Sequence, residues 1–485
     1  MSTQTVAPSP VPEARPDLLL GDASPSPAGP AGPDAHINIP PSLTMSPWLQ
    51  TLRFSLRQIE FVFRARREIG EVFRFRGAIG RGEITVVTSH PDHVRSLFTA
   101  KPEQAPSLTG QSPLRPIVGP NSVLTAIGPR HMRQRKLLLP PFHGEAVERY
   151  VEMIDLAAHR EIDRWSVGKP FALAPRMQAI TLDVIMGGIF GIEGRPERGT
   201  PEHGLRRAVR RVLETSARPE AQLGELMNLG RDEPVGPTKA IINYLDRHFY
   251  RVIGARRAAH DASGNDILSI LLQAETEDGE RLTDKELRDE LLTLVLAGHE
   301  TTANQLAWTF ERLLRNPAAY DRLRDVVRGG APDDADAWIE ATIHEGMRNR
   351  PVIPIIGRMV TEPWRLGDAV VPADTWVLMS ILLVHHRDDV YPDPFAFRPE
   401  RFYGQKPGTY SWIPFGGGIR RCLGATLAMA EQRSVLRAIA ARTDLAAPDP
   451  EPERARHRNV TMIPQHGTKV VLDARTPATG GGYGL

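Results

Sequence analysis

One cysteine is all the thiol chemistry that this 485-residue chain contains. A disulfide framework and a cysteine-cluster zinc site each need at least two, so both are excluded and a reducing compartment, the cytoplasm, is expected. Lysine is nearly as scarce, with seven against 53 arginines. That bias suggests a GC-rich genome. Sixty basic and 58 acidic residues leave a formal charge of +2, which argues against nucleic acid as main partner, because such binders concentrate positive charge. Long hydrophobic runs are missing too. The longest, Trp376 to Val384, has nine residues with Ser380 inside it, against roughly 20 needed to span a bilayer. The first 40 residues hold nine prolines, and their longest apolar stretch, Leu18 to Leu20, is too short for a signal-peptide core. Residues 1–41 read as a disordered leader.

What is present is ordinary globular chemistry, 41% apolar and 24% charged. Length alone allows about three domains. From Ser42 onward, Leu49, Leu52, Phe54, Ile59, Phe61 and Val62 recur at helical spacing. The branched run Ile84-Thr85-Val86-Val87 predicts a strand within Glu83 to Thr88. Residues 106–128 are rich in Pro, Gly and Ser and read as a long loop, a type that is usually functional or disordered. Residues 145–328 read as helical, with breaks at Gly194 to Pro201 and Asp261 to Asn265. The clearest helix opens with a capping box at Thr283-Asp284-Lys285-Glu286 and stops at Asn316-Pro317. A further helix runs from Ala335 to Arg348, followed by strand-like pieces at Arg365 to Val371 and Thr375 to Met379. A Pro-rich stretch from Tyr391 to Pro399, a Gly-rich loop and a last helix from about Cys422 come next, and residues 476–485 read as a Gly-rich flexible tail.

The cysteine lies in Phe415-Gly416-Gly417-Gly418-Ile419-Arg420-Arg421-Cys422-Leu423-Gly424. The glycines permit a tight bend that aims N–H groups at one point. The helix expected after it puts a positive dipole end near the sulfur, and Arg420 and Arg421 add positive charge, all of which favour thiolate. Three readings are open on these grounds: a buried structural cysteine, a hydrolase nucleophile that needs a histidine base, and an axial ligand to haem iron.

Phe415, Gly416, Gly418, Arg420, Cys422 and Gly424 together resemble the haem-binding loop of the cytochrome P450 family. Six fixed residues at fixed spacing arise by chance in a chain this long with a probability on the order of 10⁻⁵. The resemblance implies haem b with Cys422 as axial thiolate, Phe415 shielding the sulfur, Arg420 on a haem propionate and Gly424 letting the helix approach the porphyrin. It also gives Glu345 and Arg348, at i and i+3 on one helical face, and Arg401, in Pro399-Glu400-Arg401-Phe402, the role of a buried structural network. In Ala297-Gly298-His299-Glu300-Thr301-Thr302, glycine and paired threonines are poor choices for a helix centre. Gly298 and a threonine hydroxyl suggest a groove for dioxygen, with a simple helix crossing as the alternative. By the resemblance, Glu300 and Thr301 relay protons, and His299 is a bystander. His131 and Arg135, at i and i+4, and Arg358 are the candidates for further propionate contacts.

The resemblance spans residues 45 to 475 and implies one mainly α catalytic domain, 42–475, with a small β-rich subdomain and haem between the long central helix and the Cys422 loop. The implied reaction is insertion of one oxygen atom from O₂ into a lipophilic small molecule, most often hydroxylation. A pocket is expected from parts of 106–128, Leu294 to Thr301, Val352 to Ile356 and Thr461 to Ile463. Only 63 residues follow Cys422, too few for a flavin domain, so electrons come from a ferredoxin or flavodoxin with its NAD(P)H reductase. Arg133, Lys136 and Arg421 are expected to dock it. A peroxide-driven peroxygenase, an O₂-independent haem isomerase and a haem sensor or carrier are the alternatives; the first two share Cys422 but have no use for the relay.

Overall fold

The computed structural model describes residues 21–76, 84–142, 144–192, 196–216, 227–228, 231–259, 264–275, 279–329, 331–458 and 460–477. The expected breaks at 194–201 and 261–265 fall partly outside these residues, as do the leader up to residue 20 and the tail from residue 478.

The helix Asp284–Leu314 is the axis of the molecule. Its start is fixed as the sequence predicts, since Thr283 and Glu286 cap each other's backbone N–H groups. At 1.5 Å per residue its 31 residues extend about 46 Å. Most of them are buried, because helices pack on it from several sides. The main neighbour is Leu173–Phe190, whose apolar surface runs nearly all round, including Met177, Ile180, Val184, Ile185 and Ile189. Pro332–Asn349 and Ala425–Arg442 complete this helical core, with Trp308, Phe310, Trp338 and Leu436 fully buried in it.

The β-rich part is built on a four-stranded sheet in the order Val72–Arg76, Ile84–Thr88, Thr375–Ser380, Ile355–Val360. The middle pair is parallel, with Val86 opposite Val377, and the outer pairs are antiparallel. Val86, Leu97, Phe98, Trp364, Val377 and Met379 form its own apolar core. The arrangement is the mainly helical fold with a small β subdomain that the sequence implies.

Three expectations change. Residues 21–41 are not a free leader: Ala28–Pro30 pairs antiparallel with Trp364–Leu366, Asn38 bridges Val370, and the Gly21 N–H donates to the Val390 carbonyl at 3.1 Å. Proline is tolerated there because the added strand is an edge strand. The 106–128 loop carries its own 3₁₀ turn at Leu108–Gln111 and a short helix at Arg115–Val118. The last helix begins at Ala425 rather than at the cysteine, with Gly424 as its N-cap residue.

Candidate active site

The cysteine loop is shaped by what it leans on. Gly416 and Gly418 both take positive φ, +64° and +62°. A Cβ on Gly418 would lie 2.2 Å from the Phe98 carbonyl oxygen, and one on Gly417 would lie 2.1 Å from the Phe98 ring. The helix Pro91–Thr99 therefore presses the loop so closely that only glycine fits. Phe415, packed on the helical core, accepts the Cys422 N–H through its carbonyl at 2.9 Å. At Gly424 a Cβ would meet nothing within 4 Å, so the chain leaves open space beside the sulfur.

Cys422 is solvent-accessible, yet protein surrounds the rest of it. Burial pushes its thiol up, against the Gly424 N–H and the charges of Arg135 and Arg421, which pull it down. The expected thiolate is thus not produced by the polypeptide alone, and Arg420 is not among its supports. A metal ion held by Cys422 would supply what is missing, since a metal-bound thiol is deprotonated outright.

Arg420 turns instead to the 119–126 segment, donating to the carbonyls of Val123 (3.3 Å), Leu124 (3.5 Å) and Ala126. Arg135 donates to the Arg421 carbonyl at 2.8 Å. Arg358 is buried and reaches Ser107 Oγ only at 3.5 Å, with its guanidinium 5.9 Å from the centre of the Phe98 ring. His131, Arg358 and Arg420 line one cleft together with Phe98, Ala105 and Ser107. Among the described residues, no carboxylate pairs with Arg135, Arg358 or Arg420. Burial lowers Arg358 to about 10, and burial with repulsion from Arg358 and Arg135 does the same to Arg420. Burial and all three guanidiniums push His131 to about 4. An unpaired buried cation such as Arg358 is costly, so the cleft of His131, Arg358 and Arg420 fits an anionic group, as haem propionates are. A wider cleft of about 570 Å³, lined in part by Lys136, Pro140 and Asn265, contains none of these residues.

Beneath the loop, Glu345 accepts from Arg348 Nε at 2.6 Å and Nη2 at 2.8 Å, and Arg401 Nε lies 3.5 Å away; all three side chains are fully buried. Arg348 also donates to the carbonyls of His385, Pro394 and Ala396. His385, which the sequence gave no reason to single out, passes this support on: its Nε2 accepts the Ile413 N–H at 2.8 Å. Tyr391, stacked on Arg348, donates to the Ser411 carbonyl. The network thus grips residues 411–413, which lead into the cysteine loop.

On the central helix, Thr301 Oγ1 donates to the Ala297 carbonyl at 2.6 Å, as expected of a hydroxyl that diverts a backbone acceptor. Gly298 opens no groove. A Cβ there would sit 2.3 Å from Ile185 Cδ1, so the glycine serves the crossing with Leu173–Phe190. His299 is buried, pushed to about 4 by that burial and by Arg458, and its ring is turned to Gln178, which leaves it out of the chemistry. Glu300 pairs with Arg458 at 2.8 Å, a partner 158 residues away that no spacing reveals. Arg133, expected on a docking face, is paired with Glu286 at 2.9 Å; Arg421 is exposed. No helix among the described residues is long and apolar enough to cross a membrane.

The cytochrome P450 family model matches residues 40–472. "Putative cytochrome P450 137" of Mycobacterium tuberculosis is 37% identical over 80% of this chain and 80% of its own length. "Putative cytochrome P450 135B1" of Mycobacterium bovis is 35% identical over 91% and 92%. Among solved structures, the retinoic acid-bound cyanobacterial CYP120A1 superposes with a TM-score of 0.73 at 23% identity, covering 90% of this chain and 100% of that one. The cytochrome P450DA heme domain gives 0.73 at 23%, covering 91% and 99%. The fold and the length and depth of these matches establish that the chain belongs to the cytochrome P450 family, the haem-thiolate monooxygenases.

Proposed function

We propose that this enzyme inserts one oxygen atom of O₂ into a lipophilic small molecule, in most cases as a hydroxylation, within a cytoplasmic catalytic unit fed by a separate ferredoxin or flavodoxin and its NAD(P)H reductase. The observation that carries the site reading is the Cys422 thiol, on which Arg135 acts, together with the cleft of His131, Arg358 and Arg420, whose two guanidiniums have no acid among the described residues. Haem b held by Cys422 supplies the redox chemistry on O₂, helped by electron donation from the sulfur. Arg135, Arg358 and Arg420, with neutral His131, hold its propionates. Phe415, Gly416, Gly418 and Gly424 shape the loop around the sulfur, while Glu345, Arg348 and Arg401 hold that loop in place from beneath.

Glu300 and Thr301 move protons. Both are part-exposed on the stretch of the central helix that faces the proposed pocket. The carboxylate takes a proton from solvent and passes it on, and the Thr301 hydroxyl, which donates to the Ala297 carbonyl at rest, turns its one O–H from that carbonyl to hand a proton on. Val352 to Ile356 and Thr461 to Ile463 supply a mainly apolar wall, which supports a hydrophobic substrate. Arg421, exposed beside the loop, offers the positive charge for an acidic electron donor.

A carbon monoxide difference spectrum of the reduced protein tests the ligand. The red-shifted band of a thiolate-bound haem is expected in the wild type and absent in Cys422→Ser; its absence from undamaged wild type overturns the assignment. A screen of fatty acids, steroids, terpenoids and retinoic acid by the ferric spin-state shift then finds the substrate class. Product formed with NAD(P)H and the donor pair, rather than with peroxide alone, separates the monooxygenase from the peroxygenase.

A further inference from the structure

The proposed relay acid is already held by the far end of the chain. Glu300 Oε1 lies 2.8 Å from Arg458 Nε, and the two side chains are only 17% and 14% exposed. Arg458 ends the strand Ala455–Arg458 and stands opposite Thr461 in a hairpin with Thr461–Pro464. The Thr461 hydroxyl donates to the Arg458 carbonyl at 2.8 Å and lies 3.4 Å from the same Glu300 oxygen. The hairpin is fastened on both sides, with Trp308 Nε1 of the central helix donating to the Met462 carbonyl at 3.0 Å and the Met462 N–H donating to the Val352 carbonyl at 2.7 Å. The residues that grip Glu300 are thus continuous with both segments proposed to line the substrate pocket.

We infer that Arg458 is a positioning residue: it holds the Glu300 carboxylate in one place on the helix, and it ties proton supply to the placement of the Ala455–Pro464 hairpin. The inference rests on the relay reading above. A charge-assisted hydrogen bond of 2.8 Å between two part-buried side chains fixes the direction of the carboxylate. Glu300 is thus presented to the relay from one fixed place, and that place moves only with Arg458 and Thr461. A substrate that contacts Thr461 to Ile463 shifts the hairpin and, through Arg458, the placement of Glu300.

The test compares holoenzymes of wild type, Arg458→Met, Glu300→Gln and the double variant, driven by NADPH and a plant-type ferredoxin with its reductase, without added substrate. The readouts are the share of electrons leaving as hydrogen peroxide rather than water, and the solvent deuterium isotope effect on NADPH oxidation. Arg458→Met is expected to raise both several-fold with haem content and the carbon monoxide band unchanged, and Arg458→Lys to restore most of the loss. The double variant is expected to be no worse than Glu300→Gln, because the two residues act as a pair. Independently of turnover, amide hydrogen exchange in the hairpin of the carbon monoxide form should speed up in both single variants. A peroxide share in Arg458→Met equal to wild type, or strictly additive effects, overturns the inference while leaving the relay in place. A wild-type peroxide share in Glu300→Gln instead overturns the relay reading itself. Should Arg458→Met lose haem, Arg458→Gln, which keeps a hydrogen-bond donor without the charge, carries the same comparison.

Discussion

Glu345 and Arg348 are joined by two hydrogen bonds, 2.6 and 2.8 Å long, and neither side chain touches solvent. With Arg401 at 3.5 Å, one buried carboxylate answers two buried guanidiniums. Removing it leaves the cations facing each other, a loss on the order of 3–5 kcal/mol for a buried pair. Glu345→Ala is therefore expected to yield protein with little or no haem, because His385 and residues 411–413 lose their anchor. The haem-to-protein ratio and the denaturant midpoint measure this. Glu345→Gln, which keeps an acceptor for Arg348, should fall between. Full haem content in Glu345→Ala would refute the supporting role.

Gly298 offers a test that separates packing from oxygen chemistry. Its missing Cβ would overlap Ile185 Cδ1 at 2.3 Å, so Gly298→Ala should destabilise the fold by about 1–3 kcal/mol, the usual cost of overpacking a core. Ile185→Val removes that methyl carbon. The double variant is expected to recover both the unfolding midpoint and the coupling of turnover. Recovered stability with turnover still uncoupled would return Gly298 to a role in binding dioxygen.

These cases show what the sequence could and could not reveal. The capping box at Thr283 and Glu286 is local chemistry, so the start of the central helix was legible to the residue. The cysteine loop was legible because its glycines and Cys422 sit within ten residues of one another. Which of the two readings of Gly298 the packing favours was not legible, because its neighbour Ile185 lies on another helix. Arg458 and His385 were missed on the same account: what matters about each is a partner brought close only by folding. The pairing of residues 21–41 was hidden by prolines, which weaken a strand signal without forbidding an edge strand.

Two glycines in the cysteine loop should respond differently to the same change. Both have positive φ, so alanine at either carries a strain of about 1 kcal/mol. At Gly416 the new Cβ meets only Ile356 Cδ1 at 3.7 Å, an ordinary contact, whereas at Gly418 it meets the Phe98 carbonyl at 2.2 Å. Backbone cannot rotate away as a side chain does. Gly416→Ala is expected to keep haem with a modest loss of stability, and Gly418→Ala to shift or lose the thiolate band in the carbon monoxide spectrum. Equal effects would mean that strain, and not the seat on Phe98, governs the loop.

Stability should depend on pH through buried groups on both sides of neutrality. Burial pushes His93, His299 and His344 to about 4 and His385 to about 3, from an ordinary 6.5. Below 6.5 the unfolded chain binds protons that the folded chain refuses, so stability falls as pH drops from about 6.5 towards 4. Burial pushes Glu290 and Glu431 the other way, from 4.5 up to about 8. Between those values the folded chain keeps protons that the unfolded chain releases, so stability also falls as pH rises, levelling above about 8. With more histidines than glutamates shifted, the acid limb is the steeper one and the maximum lies at about pH 6–7. Urea unfolding across pH 4.5–8.5 measures the curve. Glu431→Gln should change the slope by about 1.4 kcal/mol per pH unit, the weight of one proton, across about pH 4.5–8, flattening the alkaline limb and steepening the acid limb; an alkaline limb that keeps its slope would mean that Glu431 is ionised in the folded protein.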